Sequence, residues 1–341
     1  MADPVLEVRG LRTHLWTKRG VIRAVDDVSL EIHAGEVVGL VGESGSGKSM
    51  TALSIMRLVP EPPGKIVGGS VLLQGRDLLT LGEGQMQKIR GHQAAMVFQN
   101  PMSSLNPTMK IGPQIMESME VHLGIGRTEA RARTIELFQT VGIPHARTRI
   151  DQYPHEFSGG MRQRAMIALA LSCRPRLLIA DEPTTALDVT IQAEIVNFVK
   201  RLARDMHMAV LWITHDLGIV AGLCNRVAVM YAGRIVELSP RRPLFTRPLH
   251  PYTHGLLGSV PSLERQASRR LAAIPGAPPD LARLPAGCPF YPRCAYHVDG
   301  CLEEAPPLRE WEPEHRAACY RVDDVRAQRQ APAVETARGA R

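Results

Sequence analysis

Val37-Val38-Gly39-Leu40-Val41-Gly42-Glu43-Ser44-Gly45-Ser46-Gly47-Lys48-Ser49 is the stretch that decides the fold. Its first five residues are an unbroken apolar run, the pattern of a strand buried on both faces. Gly42-x-x-x-x-Gly47-Lys48-Ser49 then matches the P-loop, whose glycines let successive backbone N–H groups curl around a phosphate at the start of a helix. Met50, Leu53, Ile55, Met56 and Leu58 continue as a helical pattern, which Pro60, Pro62 and Pro63 stop. In such a loop Lys48 reaches the β- and γ-phosphates and Ser49 puts its hydroxyl on Mg²⁺. Gly42, Ser44, Gly45, Gly47 and Met50 are the other expected nucleotide contacts. A chance match is expected in roughly one chain in a hundred of this length, and the flanking strand and helix make it rarer.

The chain has 341 residues, 44% hydrophobic and 22% charged, so it is neither a disulfide miniprotein nor disordered, and about two domains are expected. The strongly apolar, charge-free stretch 165–173 is far shorter than the ~18–20 residues a bilayer demands, and Met-Ala-Asp-Pro-Val-Leu-Glu-Val is no secretory signal. A cytoplasmic location is therefore expected. Much of the net charge of +7 is local: residues 241–284 hold seven Arg against Glu264 and Asp280. Such a segment could face phosphates, an anionic leaflet or only water. Aromatic residues are only 4%, few for a protein that stacks bases.

Residues 3–41 alternate apolar and polar in short pieces, expected as strands separated by Gly10, Gly20 and Gly35. Residues 102–160 are richer in helix formers, and Thr128–Thr140 (Ala130, Ala132, Ile135, Leu137, Phe138) suits an amphipathic helix. A helix near 163–172, a strand 177–180, a helix 191–205 and a strand 209–213 restore a βαβ order and imply a mostly parallel sheet. Past Glu237 prolines are frequent, and a domain boundary is expected near 238. Residues 323–341 are expected as a disordered tail.

Leu177-Leu178-Ile179-Ala180-Asp181-Glu182 is an apolar strand ending in two carboxylates, which would place Asp181 at the Mg²⁺ shell and Glu182 at an attacking water. In Phe157-Ser158-Gly159-Gly160-Met161-Arg162-Gln163-Arg164, just before a helix, Ser158 with two glycines at a helix start would make a second anion site without a lysine, where a simple Ser cap would leave the paired glycines unused. This segment resembles the signature of ATP-binding cassette (ABC) proteins. In the family's order, Phe98-Gln99-Asn100-Pro101 resembles the Q-loop, Thr185-Ala186-Leu187-Asp188 the D-loop, and His215 the switch histidine. Phe157 stands where Leu is usual, and Met161 where Gln is usual.

The resemblance implies an α/β P-loop NTPase cassette over 4–238, with a RecA-like parallel sheet core, an antiparallel β subdomain and a helical subdomain at about 102–160. It implies ATP and Mg²⁺ as cofactors, with Ser49, Gln99 and Asp181 on the metal, Glu182, His215 and Gln99 catalytic, and an aromatic stacking on adenine, here Trp16, with Leu15 as the alternative at the aligned position. Cassettes pack head to tail, so Ser158, Gly159 and Gly160 would serve the ATP of a second, related cassette, with the D-loop's Asp188 nearby.

Cys288, Cys294, Cys301 and Cys319 cluster in sequence without a Cys-x-x-Cys knuckle, leaving iron–sulfur, zinc or no metal open. Cys173 and Cys224 lie in apolar segments and are expected as core thiols. His250-Pro251-Tyr252-Thr253, Ser259-Val260-Pro261, Ile274-Pro275-Gly276, Gly287-Cys288-Pro289-Phe290 and Pro292-Arg293-Cys294 resemble the C-terminal extension of oligopeptide and dipeptide ABC importer ATPases, over 239–322. Some members of that group hold a four-iron four-sulfur cluster there. The group implies ATP-driven peptide import with a second cassette as partner in a heterodimer, two permeases and an extracytoplasmic solute-binding protein, at the cytoplasmic face of the membrane and without nucleic acid. Nickel chelates, haem or sugars are alternative solutes, and an ABC ATPase acting on nucleic acid or ribosomes is the rival function.

Overall fold

The computed structural model describes residues 3–99, 104–184, 188–259 and 274–330. Twelve strands build two sheets among these residues: β1 (Leu6–Thr17), β2 (Gly20–Ile32), β3 (Val37–Val41), β4 (Gly64–Leu73), β5 (Arg76–Asp77), β6 (Ala94–Val97), β7 (Leu177–Asp181), β8 (Ala209–Thr214), β9 (Arg226–Tyr231), β10 (Arg234–Pro240), β11 (Arg309–Glu312) and β12 (His315–Ala317). The smaller sheet is antiparallel, in the order β2-β1-β4-β5. The larger runs β11-β12-β10-β9-β3-β8-β7-β6, parallel from β9 to β6 and antiparallel beyond.

Every residue of β3, β7 and β8 is buried, as their unbroken apolar runs require. Because side chains alternate, Val38, Leu40, Leu211 and Ile213 pack toward the antiparallel sheet, and Val37, Val41, Val210 and Trp212 pack toward the helices and the C-terminal region. Gly39 is needed in β3 because a Cβ there would come within 2.9 Å of Cys224 Sγ. Cys173 and Cys224 are both buried thiols, and burial pushes Cys224 up to about 12.

Gly10 does not separate two strands. β1 continues through it with a register shift between Val8 and Leu11, so the left-handed glycine (φ 54°) makes a bulge. Between β6 and β7 lie the helices Ile111–Leu123, Arg127–Thr140 and Gly159–Leu171. The second buries Ala130, Thr134 and Phe138, spaced i, i+4, i+8, and leaves Ala132 exposed.

The large sheet does not stop at residue 238. β12 pairs with β10 through Glu237↔Ala317 and Leu238↔Arg316, and β11 pairs with β12. A tail beginning at 323 is corrected as well: Val322–Gln330 is helical, because Val322 and Val325 are buried apolar residues three apart, while 331–341 lie outside the described residues. The junction is fixed by Glu237, which is 0% exposed and accepts from Leu249 N (2.8 Å), His250 N (2.9 Å) and His315 Nε2 (2.8 Å). His250 Nδ1 in turn accepts from Tyr252 N (3.0 Å), capping the helix Pro251–Gly258.

Glu237→Ala leaves buried N–H donors without an acceptor, and a stability loss of about 3 kcal/mol or more is expected, read as a fall in the urea midpoint. Burial also lowers His250 from 6.5 to about 4. The unfolded chain takes up this proton as the pH falls through 6.5, while the folded chain refuses it until about 4. Stability is therefore lost across that window on acidification, and His250→Asn is expected to reduce the fall in Tm measured across it.

Candidate functional site

Four strands of the large sheet end level with one another. Val41 of β3 pairs with Thr214 of β8, Asp181 of β7 with Ile213, and Val97 of β6 with Ala180. The residues that follow, 42–49, Glu182, His215 and Gln99, therefore emerge at one edge, where open α/β sheets place ligands.

After β3 the chain turns through Gly45 (φ 78°) and Gly47 (φ 108°) into the helix Lys48–Ile55. A Cβ on Gly45 would meet nothing within 4 Å, so this stretch of backbone is open, whereas one on Gly47 would lie 2.3 Å from Ala24 O. Ser44 and Gly45 are exposed, and Met50 is packed into the core beneath. Lys48 is buried and donates to Gly42 O (2.8 Å) and Glu43 O (3.0 Å). Desolvation lowers its pKa, against the opposing pull of Glu182, Asp181 and Glu43.

Ser49 Oγ donates to Asp181 Oδ1 at 3.1 Å. Burial raises the Asp181 carboxyl, and nearby Glu182 adds to it. Glu182 sits in the left-handed region (φ 45°), with its N–H on Ile213 O at 2.9 Å. That sharp turn aims its carboxylate along the sheet edge. Gln99 Nε2 donates to Glu182 Oε2 (3.1 Å), and His215 Nδ1 lies 3.2 Å from Oε1. The structure thus unites Lys48, Ser49, Asp181, Glu182, Gln99 and His215 on one side of the loop.

Other expected site residues stand elsewhere. Ser158 is exposed at the start of the helix Gly159–Leu171, its Oγ accepting from Met161 N (3.3 Å), with Gly159 exposed and Gly160 half-buried. The two departures at the signature are core positions: Phe157 is buried against Phe138 (centroids 6.3 Å), and Met161 packs on the same core. Asp188 caps the helix Val189–Asp205 through Ile191 N (3.0 Å). Asn100, Pro101, Thr185, Ala186 and Leu187 lie outside the described residues. Trp16 lies on β1, 49% exposed, with its ring 6.1 Å from that of His14, and Leu15 pairs across to Gly64.

Cys288, Cys294, Cys301 and Cys319 line one cavity of about 20 Å³ together with His250 and Phe290. Burial pushes Cys288 up to about 11 and Cys319 up to about 12, and neighbouring thiols add to both. The donor set suits soft metals, and Tyr296 N and Arg321 N point at Cys294 and Cys319 sulfurs (3.4 and 3.3 Å). The cavity admits about one water-sized body, and no group of three or more His, Cys, Asp or Glu is poised for a metal among the described residues.

Sequence reasoning missed three contacts to the loop itself. Glu43 N donates to Tyr252 Oη (2.8 Å), and the Glu43 carboxylate takes a two-pronged pair from Arg293 (2.6 and 2.9 Å). The available signal was the acid inside a phosphate loop, which calls for a cation nearby.

Residues 25–185 match the family model described as ABC transporter, and residues 236–301 match that of the oligopeptide/dipeptide transporter C-terminal region. The chain is 51% identical over 324 residues to the "Probable peptide ABC transporter ATP-binding protein y4tR" of Sinorhizobium fredii, covering 95% of this chain and 97% of that one. It belongs to the ABC transporter ATP-binding proteins of the peptide-import group. The oligopeptide transport ATP-binding protein OppD of Salmonella typhimurium is 49% identical over 320 residues, covering 94% of each chain. The dimeric structure of a post-hydrolysis state of an ATP-binding cassette bound to ADP and Pi superposes with a TM-score of 0.61 at 26% identity, covering 70% of this chain and 99% of that one. The chain is accordingly an ABC ATPase subunit of an importer, and among the described residues no helix is long and apolar enough to cross a membrane.

Glu182→Gln keeps the shape of the side chain but removes the carboxylate that would accept the proton of an attacking water. Phosphate release in the assembled transporter is expected to fall at least about 100-fold, while equilibrium ATP binding stays intact and a nucleotide-bound dimer accumulates.

Proposed function

We propose that this ATPase energises uptake of dipeptides or oligopeptides from the cytoplasmic face of the membrane, as one half of a head-to-tail pair with a related second cassette. Two permease chains would carry the solute, delivered by an extracytoplasmic binding protein. The observation that carries the catalytic reading is the convergence of Gln99 and His215 on the Glu182 carboxylate beside the loop. The cargo class rests on the C-terminal region and on the peptide-import relatives.

In this reading the loop 42–49 holds the phosphates through its backbone, and Lys48 exchanges the loop carbonyls for phosphate oxygens. Glu182 accepts the proton of a water that attacks the γ-phosphorus as the bond to ADP breaks. Gln99 holds one carboxylate oxygen and His215 the other, so the base faces the water in one orientation. Ser49, Asp181 and Gln99 would hold Mg²⁺, which when bound neutralises phosphate charge. The fit is good: Ser49 and Asp181 already share a hydrogen bond, and the Asp181 carboxyl is one that burial and Glu182 disfavour as an anion, which a cation offsets. Exposed Ser158 and Gly159 at a helix start are free to meet the partner's γ-phosphate, with Asp188 near the same joint. Trp16, exposed on β1, is the proposed adenine contact, and Met50 supports the loop from below. The cassette over 4–238 and the extension over 239–322 are proposed as functional divisions of one continuous sheet. Cys288, Cys294, Cys301 and Cys319, which share one cavity, would be the ligands of a four-iron four-sulfur cluster, and ATP hydrolysis needs no step through it.

Mild-detergent purification of the tagged chain from its own membranes is expected to recover two permeases and a second cassette. Ribosomal proteins or nucleic acid without membrane chains would overturn the transport role. Iron content and visible absorption of the same sample decide whether the four cysteines hold a cluster in the cell.

A further inference from the structure

Glu43 places a carboxylate inside the loop that must receive a triphosphate, where like charge opposes binding. Its counter-charge comes from 250 residues away: Arg293 Nη1 and Nη2 donate to Glu43 Oε2 (2.6 Å) and Oε1 (2.9 Å). The Arg293 side chain is only 4% exposed. It is fixed by Nε donating to Pro275 O (2.9 Å), by Nη1 reaching Tyr231 Oη (3.4 Å), and by the rings of Tyr231 and Phe290, each 5.9 Å away. The turn Tyr291–Arg293 that carries it is tied at both ends, Tyr291 N to Cys288 O (3.0 Å) and Cys294 N to Tyr291 O (3.2 Å). Tyr252, also from the C-terminal region, holds the backbone N–H of the same Glu43. One loop residue is thus gripped at its side chain and its backbone by the region beyond the cassette.

We infer that Arg293 is a positioning residue for nucleotide binding. It neutralises Glu43 and, with Tyr252, holds residues 42–47 in the shape that accepts ATP, so the C-terminal region sets the affinity of the phosphate loop. A flexible lysine would keep the charge but lose the fork. The inference rests on 42–49 being the nucleotide loop, and the test separates the two.

The test is the equilibrium Kd of the full chain for Mg-ATP, with the urea midpoint measured alongside in nucleotide-free buffer. Arg293→Ala is expected to raise Kd about tenfold, because it bares the Glu43 charge beside the phosphates. Adding Glu43→Gln to it is expected to restore Kd to within about threefold of the parent, since the offending charge is gone. A purely structural arginine would show no such rescue. Arg293→Lys is expected to fall between parent and Arg293→Ala, and it carries the test if the alanine variant does not fold. Kd within about twofold of the parent for Arg293→Ala or, failing that variant, for Arg293→Lys overturns the assignment. So does a double variant no tighter than Arg293→Ala. Lys48→Ala must abolish binding in the same assay: if it does and Arg293→Ala does not weaken binding, only the Arg293 assignment falls, whereas unchanged binding in Lys48→Ala overturns the loop reading and the inference with it.

Discussion

Parallel hydrogen bonding of β8 between β3 and β7 is the constraint on which the site depends. The ladder fixes not only which strands are neighbours but where each one ends, pairing Val41 with Thr214 and Ile213 with Asp181. A register slip would carry each buried side chain to the opposite face of the sheet, and close packing opposes it: at Gly39 even a Cβ would come within 2.9 Å of Cys224 Sγ. This edge, where residues 42–49, Gln99, Glu182 and His215 emerge, is thus held in place by the packing of the core beneath it.

Electrostatics at that edge is a matter of crowded carboxylates. Asp181, Glu182 and Glu43 all lie near buried Lys48, and each is managed differently. Asp181 takes the Ser49 hydroxyl, Glu182 takes the amide of Gln99 and the imidazole of His215, and Glu43 takes the guanidinium of Arg293. The strained backbone of Glu182 fits the same pattern, since a left-handed non-glycine residue persists only where its surroundings hold it.

The region past residue 238 is woven into this arrangement. Its strands lengthen the large sheet, its Leu249 and His250 backbone is held by buried Glu237, and its Tyr252 and Arg293 reach the phosphate loop. The thiol cavity lies one turn of chain from Arg293, so the segment holding the cysteines and the segment holding the loop are parts of one packed body, with Tyr231, Tyr252 and Phe290 in mutual ring contact between them.

The glycine-rich loop, the acidic strand end and the serine at a helix start were legible in the sequence because each is local: glycines, a lysine and a hydroxyl at fixed spacing, a run of apolar residues ending in two acids, a serine before a helix. The βαβ order was legible for the same reason, through hydrophobic period alone. What the tertiary structure decided was everything that depends on distant residues meeting. The pairing of Glu43 with Arg293 spans 250 residues, and no local pattern encodes a partner at that separation. The bulge that carries β1 through Gly10, the continuation of the sheet beyond 238 and the helix at 322–330 depend on neighbouring strands and on buried Val322 and Val325. Spacing brought four cysteines together on paper, and the fold does bring them to one cavity. The size of that cavity was set by the aromatic and histidine side chains packed around it, which is packing information that a sequence pattern does not contain.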